Sequence, residues 1–168
     1  MRHPFLVPLT RLILLSTQGQ PITVLASDVT TSTGGAIDHS AALKATRFLA
    51  MLHRTRAAHL LVLCDTPGFA IGPGEEERGG VRAFAELFAA FAAFGDGEGG
   101  QGGRIFGIVV RKGYGLAAEA LLGGSTMSPV FCAAWPSAEM AGMNVEGESI
   151  ALLPLRSLSL LFLVLVLV

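Results

Sequence analysis

Three stretches of the chain carry residue types that could act on a substrate. The first is Arg111-Lys112-Gly113-Tyr114-Gly115, where an apolar run ends, glycines turn the chain and Leu116–Leu122 begins as a short helix. Backbone N–H groups at a helix start have no intrahelical partner and lie at a positive dipole end. Two such amides side by side can hold a developing oxyanion. An ordinary tight turn accounts for the same residues, and spacing alone leaves both readings open. The second stretch, Asp65-Thr66-Pro67-Gly68-Phe69, ends another apolar run in a turn and is open to the same two readings. The third, Gly95-Asp96-Gly97-Glu98-Gly99-Gly100, matches G-x-G-x-x-G literally. A dinucleotide fingerprint follows a strand and opens a helix. Here a helix precedes, a strand follows and two acids stand where a pyrophosphate would lie, so the stretch reads as a solvated linker.

Other chemistries lack their residues. No glycine loop is followed by G-K-[ST], and no G-x-S-x-G elbow occurs. His3, His39, His53 and His59 form no H-x-x-x-H or H-E-x-x-H pair, so no metal is expected. Cys64 and Cys132 lie far apart in apolar runs with no C-x-x-C, as expected for two buried thiols in a reducing compartment. Lys44, Arg47 and Arg54 fall on one face of a helix, which is either a solvated surface or a phosphate-binding one.

The elements that must position these residues alternate. Residues 21–26 read as a short buried strand, and Ser40 as the N-cap of a helix over 41–54 with Ala41, Ala45, Phe48, Leu49 and Leu52 on its apolar face. His59–Cys64 is a strand stopped at Asp65. Val81, Phe84, Leu87, Phe88, Phe91 and Phe94 mark a second amphipathic helix, with Glu75–Glu77 at its approach, where the helix dipole favours acids. Ile105–Val110 and Val130–Trp135 are two further strands. This is an α/β pattern.

Composition narrows the function classes. With 51% hydrophobic and 15% charged residues the chain is not disordered. Twelve basic against 13 acidic residues give net charge −1, which leaves no basic field for nucleic acid. Glycine is abundant at 21 residues, so many backbone positions need turns or close approach. Residues 4–15 are apolar but broken by Pro8 and Arg11. They are expected to form a strand or core segment rather than a signal peptide. Residues 151–168 hold nine Leu, and the charge-free part after Arg156 is 12 residues, short of a membrane span. A tail anchor, a buried strand or helix, and a chain end foreign to the ancestral domain are the three readings of this segment. The expected organisation is an apolar N-terminal segment over 1–17, one domain over 18–148 and a Leu/Val-rich tail over 149–168.

Six blocks in order resemble the carboxyltransferase (beta-type) subunit of biotin-dependent acyl-CoA carboxylases, of the propionyl-, acetyl- and methylcrotonyl-CoA type. They are Gly34-Gly35-Ala36-Ile37-Asp38, Lys44-Ala45-Thr46-Arg47-Phe48, Leu63-Cys64-Asp65-Thr66-Pro67-Gly68-Phe69, Gly79-Gly80-Val81-Arg82, Arg111-Lys112-Gly113-Tyr114-Gly115 and Ala134-Trp135-Pro136-Ser137-Ala138-Glu139. Together they are specific; any one alone would be weak. The resemblance is to the C-terminal half only.

The resemblance implies an α/β fold of the crotonase-like kind, a partial superhelix of β-β-α units. It implies transfer of carboxylate between N1 of biotin and the α-carbon of an acyl-CoA. Carried over, the oxyanion donors are the backbone N–H groups of Leu116 and Ala117, with Glu119 tuning the choice of acyl substrate. Phe69, Gly79, Gly80, Tyr114 and Gly115 would form the biotin pocket. Family members often have glycine where Leu116 stands, which backbone chemistry tolerates if the side chain points away.

Implied partners are a biotin carboxyl carrier protein with its biotin carboxylase subunit, the N-terminal carboxyltransferase half, and further copies in a homo-oligomer, with no nucleic acid and no membrane. Carboxybiotin on its carrier and acyl-CoA are the co-substrates, and no metal is expected in the domain. A cytoplasmic location is expected, or the mitochondrial matrix in a eukaryote. Without the N-terminal half the isolated chain is expected to be inactive or to need a partner. The alternatives are a non-catalytic or oligomerising remnant, an acyl-CoA decarboxylase of the same family, and a crotonase-type hydratase or isomerase using Glu119.

Overall fold

A computed structural model describes residues 13–17, 20–30, 33–57, 59–95, 102–123 and 129–142. The apolar segment before residue 13, the linker over 96–101 and the Leu/Val-rich tail lie outside the described residues.

The sequence alternates as expected, in the order β1 (Ile13–Thr17), β2 (Gln20–Ala26), α1 (His39–Arg54), β3 (His59–Thr66), α2 (Pro73–Glu77), α3 (Gly80–Gly95), β4 (Arg104–Tyr114), α4 (Gly115–Leu121), β5 (Phe131–Ala134) and β6 (Glu139–Ala141). Among the described residues these strands form one sheet in the order β1-β2-β3-β4-β5, with β6 pairing β4 beyond β5. Only β1 runs antiparallel to its neighbour β2; every other pairing is parallel. Parallel neighbours need crossover connections, and α1, then α2 with α3, then α4 supply them.

The alternation of β3 shows where the core lies. Leu60, Val62, Cys64 and Thr66 are buried while the residues between them are half-buried. Leu60, Val62 and Cys64 share one core with Ala41, Ala45, Leu49 and Leu52 of α1, with Ala83, Leu87, Phe91 and Phe94 of α3, and with Ala117, Ala120 and Leu121 of α4. A fully buried Leu or Phe side chain contributes about 1.5–3 kcal/mol. Leu60, Leu87 and Phe91, all at 0% exposure, are therefore among the residues that hold the helices to the sheet.

Three local expectations are corrected. The cap of α1 is Asp38, whose carboxylate accepts the Ala41 N–H at 2.7 Å; Ser40 is already inside the helix and exposed. Asp38 has the extended backbone a cap needs (φ −86°, ψ 174°), which puts its acceptor within reach of the third amide. The glycine-rich stretch over Arg111–Tyr114 is strand, not turn: β4 runs unbroken to Tyr114 and the corner is Gly115. The approach to α3 is itself helical, as α2, with Pro73 in its first turn, where a missing N–H costs nothing.

The pairing of β3 with β4 has a register shift, since Cys64 pairs with Val109 but Thr66 with Gly113. Asp65 sits at this irregularity. Its Oδ1 accepts the Lys112 N–H at 3.2 Å, and its Oδ2 accepts from Nε of Arg111 at 3.1 Å. A side chain thus satisfies a donor where the ladder is interrupted.

Candidate functional site

The sequence-predicted residues come from the ends of β3 and β4 and from the junction of α2 with α3. At the end of β3, Pro67 and Gly68 turn the chain, and Phe69 forms a parallel bridge with Ile37. The Ile37 N–H donates to Gly68 O at 3.0 Å and the Ala70 N–H to Ile37 O at 2.9 Å. This fixes Phe69 half-buried over α3, its ring stacked on Phe84 with centroids 4.1 Å apart and tilted against Phe88 at 6.3 Å.

At the end of β4, Tyr114 is 1% exposed and its hydroxyl donates to Glu139 Oε2. Gly115 then turns the chain at φ +58°, and a Cβ there would lie 3.0 Å from Gly142 O. Tyr114 gives the helix that follows no side-chain cap. The N–H groups of the first turn, among them those of Leu116 and Ala117, have no intrahelical partner. Ala117 is buried, Leu116 is 64% exposed and Glu119 is exposed.

A cavity of about 400 Å³ opens between these corners, lined by Phe69, Ala70, Ile71, Glu75, Glu76, Gly80, Val81, Phe84, Ala85, Phe88 and Leu116. It brings together Phe69, Gly80 and Leu116, which come from three separate blocks of sequence. Gly79, Tyr114, Gly115, Ala117 and Glu119 are not among the lining residues. Gly80 is required to be small, because a Cβ on it would lie 2.8 Å from Glu75 O. The preceding Gly79 turns at φ +82° and joins α2 to α3.

Sequence reasoning named Phe69 for the pocket and missed Phe84 and Phe88 beside it. The apolar positions of α3 look like one core stripe, but they divide into two rows. Leu87, Phe91 and Phe94 are buried in the core, whereas Phe84 and Phe88, one turn apart, turn to Phe69 and the cavity, and Val81 is 70% exposed. The excess of Phe and Ala over what one helix face needs was the available signal. Glu75 and Glu76, read as dipole-favoured residues, are the charged groups of the lining. Apart from them the lining is apolar, and it carries no donor side chain.

Neither thiol competes as a nucleophile. Burial, reinforced by the Asp65 carboxylate, pushes the Cys64 thiol up to about 12. Burial likewise raises Cys132. Lys44, on the polar face of α1, is shifted below the usual lysine range by partial burial, which the nearby Asp28 opposes. Among the described residues, no group of three or more His, Cys, Asp or Glu is placed to hold a metal ion, and no helix is long and apolar enough to cross a membrane.

Comparison with known proteins places the chain beside one group. The family model for the carboxyl transferase domain matches residues 16–153. The chain is 31% identical over 128 residues to the uncharacterized carboxylase YngE of Bacillus subtilis, covering 76% of this chain and 23% of that protein. It is 30% identical over 115 residues to the propionyl-CoA carboxylase beta chain of Saccharopolyspora erythraea, covering 68% of this chain and 19% of the relative. The chain therefore spans about a quarter or less of the curated relatives it matches. Among solved structures, a single-chain, multi-domain long-chain acyl-CoA carboxylase superposes with TM-score 0.73 at 37% identity, over 83% of this chain and 14% of that one. Transcarboxylase 12S, solved with methylmalonyl-CoA and methylmalonic acid bound, gives 0.68 at 27% identity over 80% of this chain and 24% of its own. A Pseudomonas malonate decarboxylase hetero-dimer shares the fold, with TM-score 0.71 at 19% identity over 90% of this chain and 62% of that chain.

Proposed function

The chain belongs to the carboxyl transferase domain family, with the crotonase-like α/β fold of acyl-CoA carboxylase beta subunits, and from that membership we propose that it supplies the biotin-side half of a carboxyl-transfer site. The observation that carries the reading is the convergence of Phe69, Gly80 and Leu116 on one cavity.

The lining fits the group. Aromatic and aliphatic walls suit the apolar body of a neutral bicyclic ring, and the Glu76 carboxylate is an acceptor for a ring N–H donor. No lining side chain can donate to a ring oxygen, so that task falls to backbone amides at the rim. Biotin, when bound, supplies a ureido nitrogen that carries the carboxyl group and an oxygen that gathers negative charge as the group departs. The N–H groups of Leu116 and Ala117 hold that oxygen, and they bind it more strongly as its charge grows. Each such donor is worth about 3–4 kcal/mol in the transition state. No nucleophilic side chain is needed, consistent with two cysteines held as neutral thiols.

The reading extends to the whole assembly. Carboxybiotin arrives on a carrier protein, an acyl-CoA accepts the carboxyl group, and an N-terminal carboxyltransferase half from another chain completes the site. Glu119, exposed on α4, tunes which acyl group is accepted, and the isolated chain is inactive. The location that suits it is the cytoplasm, or the mitochondrial matrix of a eukaryote. The test is carboxyl transfer from carboxybiotin to propionyl-CoA by this chain mixed with an N-terminal half. Leu116→Pro removes one amide of the first helical turn, an N–H that has no intrahelical partner, and it should cut the rate by roughly 100-fold or more. Glu119→Gln should shift acyl preference and leave transfer intact. An undiminished rate in Leu116→Pro sinks the oxyanion role, and turnover by the chain alone sinks the need for a second half.

A further inference from the structure

Glu75 is engaged at both carboxylate oxygens. Its Oε2 accepts the backbone N–H of His39, the first residue of α1, at 2.8 Å, and its Oε1 accepts from Nη1 of Arg78 at 2.9 Å. The Glu75 side chain is 15% exposed and that of Arg78 68%, so the bond to His39 is the sheltered one. The first turn of α1 contains no acidic residue of its own. One of its amides is satisfied by the neighbouring Asp38 and another by Glu75, from 36 residues away. A carboxylate at a helix N-terminus gains from the dipole as well as from the hydrogen bond, more so when partly buried.

Little else fastens α2. None of its residues is buried and its own N-terminus has no side-chain cap. It is bounded by Gly72 at φ +128° and Gly79 at φ +82°, and a Cβ at either would meet nothing within 4 Å. Yet this helix forms one wall of the cavity through Glu75 and Glu76. Its packing on α3 runs through Gly80 and the Glu75 carbonyl.

We propose that Glu75 is a positioning residue: its carboxylate ties α2 to the N-terminus of α1 and so holds the acidic wall of the cavity in place. The tether itself stands on geometry alone; its consequence for a ligand rests on the biotin reading above.

Hydrogen exchange on the full 168-residue chain, with biotin titration by calorimetry alongside, tests this. In Glu75→Ala, amides over 72–80 and that of His39 should exchange about tenfold faster, the loss of roughly one charge-assisted hydrogen bond, while β3 and β4 keep their protection. Glu75→Gln, which keeps an acceptor, should restore most of the protection at His39. Arg78→Gln should resemble the wild type. Biotin should bind Glu75→Ala at least fivefold more weakly. Unchanged exchange in Glu75→Ala, or faster exchange spread evenly through β3 and β4, overturns the tether. Faster exchange with unchanged biotin affinity overturns the positioning role. If the wild type itself does not bind biotin, the biotin reading fails and the exchange pattern over 72–80 still decides whether Glu75 holds the wall. Should Glu75→Ala not fold, Glu75→Asp, which keeps the charge and draws the carboxylate back from the His39 N–H, must give the same local pattern, and unchanged exchange there overturns the tether.

Discussion

The hydroxyl of Tyr114 donates to the carboxylate of Glu139, 25 residues further along the chain. The bond fastens the last residue of β4 to the first of β6, immediately before the Gly115 corner. A tyrosine at 1% exposure needs a partner for its hydroxyl, and this acceptor comes from the short strand β6 that pairs with the end of β4. Tyr114→Phe keeps the ring and removes the donor, so it should lower unfolding stability by about 1 kcal/mol. Glu139→Gln keeps an acceptor and should cost less. Urea midpoints measure both, and equal midpoints for Tyr114→Phe and wild type would show that the bond contributes nothing.

Of Asp38 and Ser40, it is Asp38 that caps α1. Asp38→Ala should cost about 1 kcal/mol, because the Ala41 N–H loses its acceptor. Ser40→Ala should be neutral or slightly stabilising, since Ser40 is exposed inside the helix where alanine is the better former. Thermal unfolding of the two variants gives the comparison, and a larger loss for Ser40→Ala would reverse the assignment.

Stability should fall at high pH through Cys64. Its thiol keeps its proton up to about 12 in the folded chain, against 9.0 for an ordinary thiol. Between those values the unfolded state has lost the proton and the folded state has not. The contribution is therefore complete below pH 9 and declines as pH rises toward 12. The decline is about 1.4 kcal/mol per pH unit at most. Urea unfolding at pH 8 and pH 10 should show a drop that Cys64→Ala largely removes. Native-state maleimide labelling should reach half-buried Cys132 before buried Cys64. A pH slope equal in wild type and Cys64→Ala would place the effect elsewhere.

Gly115 is required by geometry on two counts. At φ +58° an alanine pays roughly 1–2 kcal/mol, and its Cβ would stand 3.0 Å from Gly142 O. Gly115→Ala should lower stability by at least that amount. Because Leu116 follows directly, the same variant should weaken biotin binding. A variant as stable as wild type would mean that the corner relaxes freely.

Much of this was legible because patterns were local. The helix over 41–54, the β3 run and the apolar stretch after Gly103 follow from spacing of apolar residues. What failed did so through contacts that no window contains. Asp38 captures Ala41 because the Ile37–Phe69 bridge fixes the chain just before it in extended form. Arg111–Tyr114 looked like a turn by its glycine content, yet Asp65 and the strands beside it draw the segment into the sheet. The apolar face of α3 could not be divided by periodicity, since only Phe69, arriving from β3, determines that Phe84 and Phe88 face a cavity. The blocks that placed Phe69, Gly80 and Leu116 were readable as resemblance, and their meeting in space was not.

The parallel register of β3 with β4 matters during synthesis. His59 cannot meet Arg104 until α2, α3 and the stretch after them have left the ribosome. For that interval the nascent chain presents His59–Thr66, with Leu60, Leu61, Val62 and Leu63 in succession, on an unpaired edge. Such an edge accepts any strand that reaches it first, including the same one from a neighbouring polysome. The yield of native protein should therefore depend on translation speed across α3 and on chaperones that shield a single eight-residue strand.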